Sequence, residues 1–210
     1  APPAVVSMFL GDELTEILEA IEKESAYEGK EKTQMKIGVH VIPKFPKDST
    51  DRNRTSPFAF TGNKFEFRMV GSSASISEAN VVLNTAVAEE LRQFADVLEG
   101  ATDFTGALHD LIKQTITDHK RIVFNGNGYN DEWLKEAEKR GLLNLKSTPE
   151  CIPYFLKEKN VALFTSHGVL SETEMRARYE IMLENYVKTI NIEALTMIDM
   201  VNKDVLPAIS

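Results

Sequence analysis

A chain of 210 residues, 42% apolar and 27% charged, is long enough to build a substantial core without disulfides or a structural metal. Its 32 acidic residues outnumber its 24 Lys and Arg by eight, which speaks against a nucleic-acid backbone as partner, because such recognition comes with a clustered basic surface. No segment reaches the roughly 18 uninterrupted apolar residues of a membrane span, the opening APPAVVSMFLGDE lacks the pattern of a signal peptide, and the single Cys151 can form neither an internal disulfide nor a thiolate zinc site, so a reducing, cytoplasmic setting is expected.

The chain opens without Met, on two prolines, and runs straight into the apolar VVSMFL, which reads as entry into the middle of an element and as a truncated or processed chain. DELTEILEAIEKES follows as an amphipathic helix, with Asp12 as its cap and Leu14, Ile17, Leu18 and Ile21 as the inner stripe. MKIGVHVI alternates as a strand from Met35 to Val41, with His40 on the face opposite the apolar one, and Pro43 and Pro46 stop it.

The next strand is unusual. In DRNRTSPFAFTGNKFEFRMVGS, residues 51–72, side chains two apart share a face and rise together by roughly 6.6 Å, so Lys64, Glu66 and Arg68 fall on one side and Phe65, Phe67 and Met69 on the other. The aromatic side is suited to burial. The charged side reads two ways: a solvated face of in-line ion pairs, each worth a few tenths of a kcal/mol, or a charged site. Gly62-Asn63 is a turn signal, and a hairpin there could bring Arg54 back toward Lys64, Glu66 and Arg68. Cations arranged around one carboxylate suit a place where phosphate meets a divalent cation: arginine neutralises moving oxygens and glutamate supplies a hard oxygen ligand.

GSSASISEAN, small and polar, leads into a helix through VVLNTAVAEELRQFADVLEG that Gly100 ends. From residue 101 the pattern is helical: ALHDLIKQTITDHKRIVF, DEWLKEAEKR with Gly141 beyond it, PECIPYFLKEK, and a last stretch from about Glu172 toward Asn202. Ser171 and Glu174 have capping-box spacing, and Met175, Tyr179, Met182, Leu183, Tyr186 and Ile190 recur at helical intervals as packing residues. FNGNGYND, at 124–131, lacks the glycine-rich phosphate-loop patterns and is expected to be a turn that ends in a helix cap at Asn130 or Asp131. His109 and His119 stand ten apart and do not suit a helical metal pair, His167 has no acid or nucleophile in register, and Cys151 follows a Thr-Pro-Glu helix start as a core or cap-adjacent residue. The fold class expected is α+β, a few antiparallel strands within residues 1–100 and a mostly helical region over 101–210.

Asn53-Arg54-Thr55, then Lys64-Phe65-Glu66-Phe67-Arg68, then small residues and Asn80, resembles the signature in the C-terminal part of glutamine synthetase catalytic domains. NRTSPFAFTGNKFEFRMVGSS, EWLKEAEKRGLLNL, the FLKEKN to FTSHGV region and RYEIMLENYVKTINIEALTMIDM resemble the large type III glutamine synthetases of bacteria, across essentially the whole chain. The resemblance implies an enzyme that joins ammonia to L-glutamate with ATP and Mg2+ (or Mn2+) through a γ-glutamyl phosphate, in a homo-oligomeric ring with active sites between subunits. It implies Glu66 as a ligand of the metal nearer ATP, Arg68 as the cation on glutamate and the transferring phosphoryl, Arg54 as the phosphate-neutralising arginine, and Lys64 as a basic residue near the nucleotide. Many shorter members carry a second arginine where this chain has Ala59, and the family's other metal ligands lie upstream of the segment matched here. The chain is therefore expected to be a C-terminal piece, inactive alone. The alternative from a different class is a noncatalytic helical oligomerisation module with a merely solvated strand face.

Overall fold

The computed structural model of the protein describes residues 5–27, 29, 55–69, 71 and 74–209. The strand expected over Met35–Val41, with His40, and the residue Arg54 lie outside the described residues. The protein is α+β, with a small sheet early in the chain and helices thereafter. The described residues fall into two compact units, one within Ala1–Ser75 and Arg92–Asn144, the other within Ile76–Leu91 and Leu145–Ser210.

In the first unit the opening apolar run does enter an element: Val5 is buried and Met8–Phe9 form β1. β1 pairs in parallel with β2 (Phe58–Phe60), so the sheet is not wholly antiparallel, and β2 pairs antiparallel with β3 (Phe65–Phe67). The register is Phe58 opposite Phe67, Ala59 opposite Glu66 and Phe60 opposite Phe65. Gly62 turns the hairpin at φ 95°, a value that needs glycine, and the Thr61 amide donates to the Lys64 carbonyl at 2.8 Å. α1 (Asp12–Glu22) begins after Gly11, at φ 81°, so Asp12 is its first residue and not its cap. The start is set from elsewhere: the Leu10 and Gly11 amides both donate to Asn125 Oδ1 at 3.0 Å.

α2 (Ile76–Leu98) starts five residues earlier than its apolar pattern suggested, so Asn80 lies within it; Ser75 and Glu78 carry the capping-box spacing that marks the true start. α3 (Phe104–His119) is capped by Asp103, which accepts from the Gly106 amide at 3.1 Å. α4 (Asp131–Lys139) follows Asn130 as expected and turns Trp133 and Ala137 inward against Val5, Phe124, Leu134 and Leu142. Trp133 stacks on Phe124 at 4.2 Å and donates its Nε1–H to the Val5 carbonyl at 3.4 Å, which ties the start of the chain to α4.

The second unit is helical. It comprises residues 76–91 of α2 with α5 (Thr148–Phe155), α6 (Glu158–Ser166) and α7 (Glu172–Met200), then a five-residue π-helical turn, Val201–Val205, and α8 (Leu206–Ile209). PECIPYFLKEK, read as one helical segment, divides between α5 and α6 because Pro153 removes a donor from the last turn of α5. α7 begins at the expected capping box: the Glu174 amide donates to Ser171 Oγ at 3.3 Å and the Ser171 amide to Glu174 Oε2 at 2.8 Å. Ile152, Phe164 and Met175 form the buried apolar set. Pro207 cannot donate to the carbonyl four residues back, and the widened π turn just before it absorbs that mismatch. Among the described residues no helix is long and apolar enough to cross a membrane.

Candidate functional site

Three of the four residues singled out by sequence come together on the β2–β3 hairpin. Glu66 stands between two cations: Arg68 reaches its Oε2 with Nη2 at 2.8 Å and Nε at 3.1 Å, and Lys64 Nζ lies 3.4 Å from its Oε1. The period-two geometry of the strand makes this possible, since 64, 66 and 68 project from one face. The Arg68 guanidinium, and after it the Lys64 ammonium, hold the Glu66 carboxyl below the ordinary glutamate range, so it is an anion at neutral pH.

Against the expectation, the aromatic face of β3 stays exposed, and the charged face is drawn in only at Arg68, with Lys64 at 65% and Glu66 at 37% exposure. Phe65, Phe67 and Met69 are exposed, at 47%, 39% and 48%, while the Arg68 side chain keeps 17% and Ala59, across from Glu66, none. Pairing explains the difference. Register places Phe58, Phe60, Phe65 and Phe67 on one face, where they cover each other, with Phe58 on Phe65 at 5.4 Å and Phe60 on Phe65 at 5.2 Å. On the other face the small Ala59 is closed over and Arg68 is drawn in beside Glu66. Ala59 is also the position where many shorter relatives of the resembled family carry an arginine; an arginine there would sit directly across the ladder from Glu66, the carboxylate that Arg68 already holds.

As a site, the cluster offers one carboxylate, ionised at neutral pH, and two cations beside it. Glu66 is the hard oxygen donor of the cluster, and both its oxygens face cations. Among the described residues no group of three or more His, Cys, Asp or Glu could hold a metal. The cluster lines neither of two cavities found among the described residues. One, of about 480 Å³, lies in the first unit beside Thr15, Glu22, Lys120 and Arg140; the other, of about 830 Å³, lies in the second unit beside Cys151, Phe164 and Met182.

FNGNGYND leads into α4 after Asn130 as expected, and Asn125 within it is the residue that sequence reading passed over: besides accepting the two amides before α1, its Nδ2 donates to Thr15 Oγ1 at 2.9 Å. Gly128 donates its amide to the Thr55 carbonyl at 2.8 Å, and a Cβ there would crowd that oxygen at 3.1 Å. His167, expected to lack an acid, pairs with Glu89 at 2.8 Å, both half-buried; the partners are 78 residues apart, beyond any local pattern. Cys151 is free and exposed in the first turn of α5, beside the cap.

Residues 107–210 match the family model of the glutamine synthetase C-terminal domain. The C-terminal half of this chain is homologous to the glutamine synthetases. The similarity extends through the hairpin as well: a glutamine synthetase of Butyrivibrio fibrisolvens is 46% identical over 97% of the chain, a type-3 glutamine synthetase of Dictyostelium discoideum 46% over 99%, and a glutamine synthetase of Bacteroides fragilis 37% over 99%. The chain spans 29% of the length of each of these relatives. Lys64, Glu66 and Arg68 thus lie in a segment shared with glutamine synthetases, within a chain far shorter than those enzymes.

Proposed function

We propose that this chain forms the C-terminal part of a type III glutamine synthetase, residues 1–100 closing its catalytic domain and 101–210 providing a helical region after it. The enzyme ligates ammonia to L-glutamate with ATP, through γ-glutamyl phosphate, giving L-glutamine, ADP and phosphate. It works in the cytoplasm as a homo-oligomeric ring. The observation that carries the reading is Glu66 held ionised between Lys64 and Arg68 in a chain that is 46% identical to glutamine synthetases along its length.

In this reading Glu66 supplies one carboxylate ligand to Mg2+ (or Mn2+), the remaining ligands coming from outside the described residues. The metal, when bound, withdraws charge from the transferring phosphate oxygens. Arg68 holds the carboxylate in place in the resting site and presents its guanidinium fork to the glutamate side chain and the phosphoryl group. Lys64, exposed at the hairpin tip, meets the nucleotide phosphates, as does Arg54, whose role rests on the motif alone.

A solvated ion-pair face would also show a glutamate saturated by its own neighbours, which is what favours the noncatalytic alternative. Steady-state glutamine synthesis and ADP release by the complete enzyme separate the two. Glu66→Ala should lose on the order of 10²–10³ in kcat, the cost of removing one transition-state electrostatic contact, and Glu66→Asp should lose less. Wild-type rates for both variants would return the strand to a solvated face.

A further inference from the structure

The groove of about 830 Å³ in the second unit falls in the size range of sites that enclose small organic molecules. Its lining joins the buried Ile152 and Phe164 to Val81, Val82, Val169 and Ile181, which are 40% to 53% exposed. Scattered singly, such side chains mean little; brought to one hollow by α2, by α7 and by the turn before α7, they form a continuous apolar surface. Charge at the groove is as particular. α7 has three basic residues, and two are neutralised by a glutamate four residues earlier: Arg176 by Glu172 at 2.6 Å and Lys188 by Glu184 at 2.7 Å. Arg178 has Glu174 in the same relation, but that carboxylate is taken by the capping box, accepting from the Ser171 amide and hydroxyl at 2.8 Å each. Arg178 therefore acts on Glu174 only at longer range, has no hydrogen bond or ion pair of its own among the described residues, and lines the groove.

We infer that the groove binds an aliphatic carboxylate: a single-chain, fatty-acid-like anion whose hydrocarbon lies against the apolar walls and whose head pairs with Arg178. The occupant follows from what the groove offers. Walls that are mostly aliphatic and aromatic suit a hydrocarbon chain, and one guanidinium whose fork is unfilled suits a carboxylate. Glu78 also lines the groove and opposes an anion, so removing Glu78 and removing Arg178 should act in opposite directions. This inference does not depend on the catalytic reading of Glu66.

Cys151, the chain's single cysteine, lines the groove and serves as a reporter of its occupancy. Calorimetric titration of this chain with octanoate, decanoate and decanol, all below their micelle concentrations, is combined with the rate of Cys151 alkylation by iodoacetamide. Decanoate should bind one per chain, roughly tenfold tighter than octanoate as two further buried methylenes require, and should slow alkylation several-fold when bound. Arg178→Gln should weaken decanoate about tenfold, the loss of a charged contact, and leave decanol unchanged. Glu78→Gln should tighten decanoate and leave decanol unchanged, and Val82→Asp should weaken both, with helical circular dichroism retained in all three variants. No binding of decanoate, an equal loss of decanoate and decanol in Arg178→Gln, weaker decanoate binding in Glu78→Gln, or alkylation that bound decanoate does not slow would each overturn the proposal. So would a Cys151 that is protected without ligand and more so as protein concentration rises, the mark of another chain in the groove.

Discussion

The hairpin of the first unit draws Arg68 inward and leaves phenyl rings exposed, whereas the second unit buries Ile152, Phe164 and Met175 in the ordinary way and exposes apolar side chains along both α2 and α7. Single exposed apolar residues carry little information, but a surface ion triad that draws one arginine inward and a run of exposed apolar side chains along the end of α7 are both departures that a folded chain keeps for a reason. The departures differ in chemistry. The first unit offers an ionised carboxylate between cations, as the proposed phosphoryl chemistry would need; the second offers exposed apolar side chains interspersed with charges such as Asp199 and Lys203. Under the proposed function the chemistry rests on the first unit, and the packing of the second unit can be broken separately.

The largest effect expected is on activity of the 210-residue chain by itself. It should show no measurable glutamine synthesis with saturating ATP, Mg2+, glutamate and ammonia, because Glu66 is one ligand and no three-donor group exists among the described residues. A coupled ADP-release assay with glutamine detection checks this, and turnover near 1 per second, a usual enzyme value, would refute it.

Next in size is the anchor of the first unit. Trp133→Ala should destabilise that unit by about 3–5 kcal/mol, since it removes a fully buried ring, its stack on Phe124 and its bond to Val5. Urea unfolding followed by far-UV circular dichroism measures the shift, and a change below about 1 kcal/mol would mean the aromatic stack is not the core of that unit.

Arg68→Lys in the complete enzyme should lower kcat/KM by roughly 10- to 100-fold, because an ammonium cannot reproduce the two-nitrogen contact with Glu66 Oε2. An unchanged value would show that Arg68 only pairs with its neighbour.

The smallest effect is at the start of α7. Ser171→Ala should cost the second unit about 1 kcal/mol, as N-cap losses do. The Ser171 amide and hydroxyl hold the Glu174 carboxyl below the ordinary glutamate value of 4.5. A carboxyl lowered on folding stabilises above that ordinary value and stops doing so as pH falls through its lowered one, so the wild-type advantage over Ser171→Ala should be full at neutral pH and shrink in acid, below the ordinary glutamate value. Thermal melts at neutral and at acid pH test it.

Local chemistry made much of the fold legible. Ser171 with Glu174 marked the start of α7, Asn130 that of α4, Gly62-Asn63 the hairpin, and alternation placed Lys64, Glu66 and Arg68 on one face. Alternation could not say which face turns inward, because that depends on the partner strand, where Ala59 leaves room beside Glu66 and the phenylalanines cover one another. What lay hidden was nonlocal. Asn125 serves amides 115 residues earlier, and His167 finds Glu89 across 78 residues, so neither contact leaves a spacing to read. The start of α2 was missed for a simpler reason: its first turn is small and polar, and only Ser75 and Glu78 announce it.

A paired measurement tests the division between chemistry and scaffold most directly: glutamine synthesis and thermal stability of the complete enzyme carrying Glu66→Ala or Met175→Ala. Glu66→Ala should abolish most turnover and leave the melting temperature nearly unchanged, since it removes an ion triad at the surface of a hairpin. Met175→Ala, which empties a fully buried position, should cost about 2–5 kcal/mol of stability and leave kcat per folded enzyme as it was. Full turnover in Glu66→Ala, or a loss of kcat in folded Met175→Ala as large as that in Glu66→Ala, would contradict the assignment of catalysis to the first unit.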